Sequence, residues 1–390
     1  MTALGWADAR EILAVRLDGI GDVLMTTPAL RALRSVPGTR VTLLASTAGS
    51  AVTTLVPEID DTIVHDAPWM KHGERRDPAT DRRTIDALSS RAFDAAVIFT
   101  TFTQSALPAA LACWLAGIPL RAAHARENPY ALLTDWVRDP EPVAGVRHEV
   151  RRQLDLVASI GRTTRDERLS LAVPARARSH VAALVGALGL ARARPWAVVH
   201  PGATASSRRY PPERFAEVAR RLHDGGVRVV FTGSADEAGL VAEVQRAAGC
   251  GDSLAGSLDL SGLAALVSAA SVVVTNNSAP AHLAAAVGTP VVDLYAYTNP
   301  QHTPWRVHSR VLYRDVPCRN CLRSVCPMGH HGCLRGVSVD RAVSSAFELL
   351  SERRRDPRSG RASADAGHAL ALRPAGPHDP QAAPARRPVG

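Results

Sequence analysis

Three features of the sequence predict an α/β fold made of two doubly wound parallel-sheet halves. Short β-rich runs alternate with longer helical patterns. The alternation restarts near residue 170. The chain has 390 residues, more than one α/β core of ~150 residues uses.

Each element has its own justification. Residues 11–17 (EILAVRL) form an apolar run of strand length, followed by a Gly-containing turn and a helix over 22–36. Strands are expected at 41–45 and 94–100, a helix at 105–117, and a helix at 147–160 whose Val150, Leu154 and Val157 share one face. The second half opens with a strand at 168–173 and a helix at 175–188. Strands at 196–200, 227–232, 271–275 and 291–295 then alternate with helices at 211–223, 235–247 and 280–287. A last helix is expected at 338–350, with Ser338 as its N-cap. These units divide the chain into an N-terminal domain (residues 1–174) and a C-terminal domain (175–350). From residue 351 to 390, Arg, Pro, Ala and Gly dominate without an apolar period, which predicts a disordered tail. Ligands of such sheets gather at the carboxyl ends of the strands, so the two halves are expected to face each other across a cleft.

Composition narrows the function. Apolar residues make up 46% and charged residues 21%, as in a water-soluble globular protein. Only 4% are aromatic, too few to build stacking platforms for single-stranded nucleic acid. The net charge is +9, of which +4 falls in residues 352–390 (eight Arg against four acids), leaving +5 on the body. That excess suits an anionic small ligand or an anionic surface and does not require nucleic acid. The apolar runs are too short to span a membrane, and the N-terminus lacks a basic segment followed by an apolar stretch. A cytoplasmic protein with reduced thiols is therefore expected, with the Arg-rich tail able to touch the inner face of a membrane.

Four segments carry chemistry. After the first strand, Gly19 and Gly21 allow close backbone approach to a ligand, and Asp22 sits at the start of a helix. Its carboxylate either takes a proton from a hydroxyl or caps the helix. Gly19-x-Gly21 lacks the third glycine of a dinucleotide fingerprint, which argues against a nicotinamide dehydrogenase. In the segment from His200 to Phe215, Gly202, Thr204 and Arg208 offer backbone amides, a hydroxyl and a cation. This is equipment for a diphosphate, and equally for a solvated loop. In the third segment, Asn277, Ser278 and Ala279 lead into a helix with Pro280 in its first turn. Ser278 and the free N–H groups there suit donor phosphates. His282, in the same helix, reads as a packing histidine or as a site residue. Between these segments, Asp236 follows a strand end, where a carboxylate binds ribose hydroxyls or simply begins a helix. The fourth segment places Cys318, Cys321, Cys326 and Cys333 within sixteen residues, beside His330 and His331. Such thiols hold a structural zinc or iron–sulfur cluster, staple a loop, or stay buried as thiols.

Together, ILAVRLDGIGDVLMTTPALRALR, HPGATASSRRYPPERF, VVVTNNSAPAHLAAAVGTPVVDLY and CRNCLRSVCPMGHHGCLRGV resemble, in order, segments of the heptosyltransferase family of lipopolysaccharide core assembly. The resemblance spans roughly residues 11–345. It implies a GT-B fold and an inverting transfer of a sugar, a heptose from ADP-heptose being favoured, to a hydroxyl of a glycan, lipid-linked or small-molecule acceptor. No cofactor is implied for catalysis. Asp22 matches the family's catalytic base. Thr204 and Arg208 match its phosphate-binding Thr and basic residue; the latter is more often Lys, and Arg keeps the charge while adding bidentate reach. Asp236 matches loosely an acid that holds the ribose. One departure stands out: the family's usual Asp-Thr-Gly reads Asn277-Ser278-Ala279 here, so an uncharged amide replaces a carboxylate that contacts the sugar. Two rival readings follow, a GT-B transferase using another nucleotide sugar and a nucleotide-sugar-binding protein that has lost catalysis.

Overall fold

The computed structural model describes residues 4–71, 77–190 and 195–355. Two six-stranded parallel sheets form the core. The first comprises β1 (Glu11–Arg16), β2 (Arg40–Ala45), β3 (Asp61–Val64), β4 (Ala95–Ile98), β5 (Leu120–Ala125) and β6 (Asp135–Arg138), in the order β3-β2-β1-β4-β5-β6. The second comprises β7 (Trp196–His200), β8 (Arg228–Phe231), β9 (Asp252–Ser253), β10 (Val272–Asn276), β11 (Val291–Leu294) and β12 (Ser309–Leu312), in the order β12-β11-β10-β7-β8-β9. Each order reverses direction once, between β1 and β4 and between β7 and β10. In a doubly wound sheet, ligands bind where that reversal opens a crevice. The predicted α/β architecture of two Rossmann-like halves is thus present.

Local chemistry explains the central strands. β1, β4, β7 and β10 are buried nearly throughout, as parallel strands covered by helices on both faces must be, and they are rich in Val, Ile, Leu and Ala. The helix Ile20–Leu33 packs against both the Glu149–Ser159 helix and the Ala279–Val287 helix, joining the two halves. Leu283 and Ala264 from the second half sit in the first half's core, and Met25 sits in the second half's core. The halves are therefore docked through apolar contacts immediately behind the strand ends.

Two expectations fail. Residues 168–173 form no strand; they run as coil along the first half, with Ala172 N donating to Leu55 O at 2.7 Å and Ser170 N to Thr27 Oγ1 at 2.9 Å. Side-chain and single backbone bonds replace a ladder there. The last helix does not stop at 350 but runs Val339–Arg355, where Arg353 donates to Ala270 O and Ser271 O and Arg310 bonds Glu348 and Glu352. The rest of the predicted tail lies outside the described residues. Ser338 does accept from Arg341 N, as an N-cap should. No described helix is long and apolar enough to cross a membrane.

Candidate active site

The first wall of the cleft is the turn after β1. Gly19 is the N-cap of the Ile20–Leu33 helix, and no side chain caps it. Asp22 instead directs Oδ1 to Arg16 Nη2 at 3.0 Å, so the capping alternative does not apply. Arg16 is 0% exposed although it ends a strand that is otherwise apolar. It is held by three carboxylates: Asp18 Oδ2 at 3.1 Å, Asp22 Oδ1 at 3.0 Å and Glu149 Oε1 at 2.8 Å. Burial pushes the Asp18 carboxyl up to about 6 despite the guanidinium beside it. Burial would also raise Glu149, but Arg16 and His302 outweigh it and hold that carboxyl down at about 2. Asp22 keeps 23% of its side chain exposed, and among the described residues its Oδ2 has no hydrogen-bond partner. One oxygen is anchored and the other is open, which is the arrangement a general base needs.

The second wall is built from the loops after β7 and β10. Asn276, fully buried, staples them: its Nδ2 donates to Pro201 O at 2.7 Å, and its Oδ1 accepts from Tyr210 N at 2.9 Å. The intervening loop carries Gly202, an exposed Thr204 and a half-buried Arg208. The Cys-rich segment braces the loop from outside, since Ser207 N and Oγ donate to Ser324 O and Arg323 O. Arg208 lies close enough to His282, Asp293 and Tyr295 to act on each electrostatically, and its Nε has no partner among the described residues. Asn277 is buried against Tyr295 with its Nδ2 likewise unpaired. Ser278 is the N-cap of the Ala279–Val287 helix but caps with no side-chain bond; its hydroxyl turns back to Asn276 O at 3.2 Å. Its N–H and that of Ala279 head the helix, and Pro280 supplies none.

The walls meet at His282 and His302. A Cβ on Gly21 would stand 2.7 Å from the His282 ring, so glycine is what lets the first helix touch the second half. Burial pushes His282 down to about 3, so the ring is neutral. His302 Nε2 lies 3.9 Å from Asp22 Oδ1 and 3.8 Å from Glu149 Oε2. The Asn299 amide lies 2.9 Å from His302 Nδ1; donating there, it leaves the ring proton on Nε2, facing both carboxylates. Gly21→Ala is expected to cost ~1–3 kcal/mol by overpacking, because His282 is itself buried and cannot swing aside. A thermal melt would show it, and an unchanged Tm would mean that the walls separate freely.

Asp22, Arg208, Asn277 and His282 are thus brought together from the predicted set, with Gly21 between them. Asp236 is not. It is exposed on a short turn, while its neighbour Glu237 faces the loop, 3.6 Å from His200 Nε2 and where a Cβ on Gly202 would fall. Sequence reading missed Arg16, Glu149, Asn276 and His302. Arg16 left a signal, a charge inside an apolar parallel strand; Glu149 and His302 left none, because their meeting depends on how the halves dock. Cys318, Cys321, Cys326 and Cys333 are half-buried free thiols, and Cys318 Sγ lies 3.8 Å from His330 Nε2. Among the described residues no group of three or more His, Cys, Asp or Glu is placed to hold a metal ion. The structural metal, one of the readings these cysteines left open, therefore finds no fitting donor set among the described residues; what the segment visibly does is brace the Thr204–Arg208 loop.

A family model described as glycosyltransferase family 9 (heptosyltransferase) matches residues 82–331. Lipopolysaccharide heptosyltransferase 2 of Escherichia coli (strain K12) is 28% identical over 358 residues, 87% of this chain and 98% of the relative. The corresponding protein of Salmonella typhimurium is 27% identical over 365 residues, 88% and 99% of the two chains. Among solved structures, the family 9 glycosyl transferase from Veillonella parvula DSM 2008 superposes with a TM-score of 0.72 at 22% identity, covering 90% of this chain and 98% of the other. E. coli ADP-heptose LPS heptosyltransferase II superposes with a TM-score of 0.69 at 25% identity, covering 88% and 99%. With a family model spanning well over half of its length and a two-sheet cleft like that of these enzymes, the chain belongs to glycosyltransferase family 9, the heptosyltransferases, and is a glycosyltransferase of GT-B fold.

Proposed function

We propose that the chain moves a heptose from ADP-heptose to a hydroxyl of its acceptor with inversion, in a displacement that needs no metal ion. ADP-heptose is the donor named for the E. coli heptosyltransferase II that this chain resembles. The observation that carries the reading is the position of Asp22, whose open carboxylate oxygen stands on one wall while Arg208 and the head of the Ala279–Val287 helix stand on the other.

Inversion requires the acceptor oxygen to attack the anomeric carbon opposite the departing diphosphate. As the new C–O bond forms, Asp22 takes the hydroxyl proton. As the old bond breaks, the electron pair leaves on the diphosphate, where Arg208, the Thr204 hydroxyl and the amides of Ser278 and Ala279 meet the charge. Asn277 replaces the family's carboxylate beside the sugar, so sugar selection falls to neutral hydrogen bonds at that position. Arg208→Ala is expected to weaken ADP binding ~10–100-fold, the value of a charge-assisted hydrogen bond to phosphate. Calorimetry with ADP tests this, and wild-type affinity would remove Arg208 from the donor site. Release of ADP from ADP-heptose in the presence of chelator tests the whole reading. Turnover with other nucleotide sugars but not with ADP-heptose would refute the assigned donor, and donor binding without any turnover would make the chain a binding protein.

A further inference from the structure

Strand β11 buries a carboxyl. It reads Val291-Val292-Asp293-Leu294, and all four residues are 0% exposed. An interior parallel strand is apolar because helices cover both of its faces, so an acid inside one needs a reason. Thr275 of β10 is level with Asp293, and His200 of β7 is level with Thr275. Side chains at level positions of adjacent strands share a face. His200, Thr275 and Asp293 therefore form a polar row at the carboxyl end of the second sheet, beneath the loops that make the second wall.

Two members of the row are committed. His200 Nδ1 lies 3.1 Å from Thr232 Oγ1, and its Nε2 lies 3.6 Å from Glu237 Oε2. Thr275 Oγ1 donates to Asn276 O at 3.1 Å. Asp293 is open: both of its carboxylate oxygens are buried with no hydrogen-bond partner among the described residues. Burial pushes this carboxyl well above the ordinary range, and the Arg208 charge draws it back. Donors without partners surround the same spot. Arg208 is half-buried, and its Nε is a buried donor that bonds nothing among the described residues; the same holds for Nδ2 of the buried Asn277. Tyr295, two positions beyond Asp293, marks where they meet. Burial and then Asp293 push its phenol up, Arg208 draws it back, and Asn277 lies against it.

We propose that Asp293 is a positioning residue for Arg208: its carboxyl takes the Nε edge of the guanidinium and turns the two Nη groups toward the donor diphosphate. The inference rests on the donor reading above and adds the group that orients its cation. A guanidinium is a rigid planar fork with five N–H donors, and Nε–H lies on a different edge from the paired Nη groups. An acceptor behind the Nε edge leaves the outer fork free to bind phosphate oxygens two at a time. A long arginine side chain otherwise loses rotamer freedom when it meets its ligand, and orienting it in advance removes that loss from the binding step. A buried carboxyl without a partner weakens a fold. Its presence in β11, within electrostatic reach of the cation assigned to the diphosphate, follows from this role and from no packing requirement of the strand.

Calorimetry with ADP and thermal melts on the full chain test this together. Asp293→Ala is expected to weaken ADP binding about tenfold, the scale of a lost hydrogen bond to a charged group. Its Tm should stay at or above the wild-type value, because the substitution removes a buried carboxyl that has no partner. Asp293→Asn keeps an acceptor oxygen for Nε–H and should recover most of the ADP affinity. Arg208→Lys removes the Nε, so in that background Asp293→Ala should weaken ADP binding by about twofold or less, a coupling that independent sites do not show. A Tm below wild type in Asp293→Ala, an equal loss of affinity in the two backgrounds, or ADP affinity unmoved by Asp293→Ala overturns the assignment. The two levels separate in the same samples. ADP binding that falls in Arg208→Ala but not in Asp293→Ala sinks the positioning role alone, whereas a wild-type chain that binds no ADP sinks the donor reading beneath it.

Discussion

Asp22→Asn should lose turnover by ~10²–10⁴-fold, the contribution of a positioned general base, while binding ADP with nearly wild-type affinity. The two halves of this expectation come from the geometry. An asparagine keeps an oxygen for Arg16 Nη2, now 3.0 Å from Asp22 Oδ1, so the turn after β1 is not disturbed. It loses only the second carboxylate oxygen, the one left open to the cleft, and with it the ability to take a proton. The proposed reading puts ADP on the opposite wall, at the Thr204–Arg208 loop and the helix that begins at Ala279. Single-turnover release of ADP and calorimetry on the same preparation would read both effects. A variant that turns over at the wild-type rate would mean that another group removes the acceptor proton. A variant that also loses ADP would mean that Asp22 supports the donor wall instead.

How much of this was legible in the sequence depends on which physical rule each part obeys. The strands nearest the two crevices were readable because central parallel strands must be apolar on both faces; EILAVR and WAVVH announce themselves. The outer strands β3, β6 and β12 were not, since Asp61–Val64, Asp135–Arg138 and Ser309–Leu312 are short, half-exposed and mixed in character. The placement of Asp22, Arg208 and Asn277 at the cleft was legible because each lies in a segment that follows a strand end, where ligands of a doubly wound sheet gather. Glu149 and His302 were invisible for the converse reason. They lie 153 positions apart in the chain, and neither sits in a motif; the tertiary seam between their two segments, where Glu149 N donates to Gln301 O at 3.0 Å, brings the side chains to 3.8 Å. The strand expected at 168–173 has the right residues, but its bonds go to side chains and to Leu55 O, with no ladder to join. Asp236 and Glu237 show the limit of placing a residue by spacing alone. Adjacent acids on one turn point differently, and the capping bond from Ser234 N to Glu237 Oε2 at 2.9 Å selects which one faces the loop.

Arg16→Met is expected to be the most destabilising single change near the cleft. The guanidinium is fully buried and meets Asp18, Asp22 and Glu149 within 3.1 Å, and a buried ion pair broken on one side leaves its partner charged and uncompensated, at ~3–5 kcal/mol. Here three carboxylates are left, with Glu149 fully buried and unable to reach water. A fall in Tm of roughly 10 °C follows from that energy in a domain of this size. The same network sets an acid limit. Glu149 is held at about 2 in the folded protein, below its value in the unfolded chain. Its stabilising contribution is therefore complete above the ordinary glutamate range and drains away as pH falls toward 2. Glu149→Gln should accordingly flatten the loss of stability between pH 4 and pH 2, while Arg16→Lys, which keeps the charge but cannot fork to three partners, should fall between wild type and Arg16→Met. Thermal melts of the three variants across that pH range give the comparison. If Arg16→Met melts with the wild type, the three carboxylates find other partners on losing the guanidinium, and Asp22 then owes its orientation to His302.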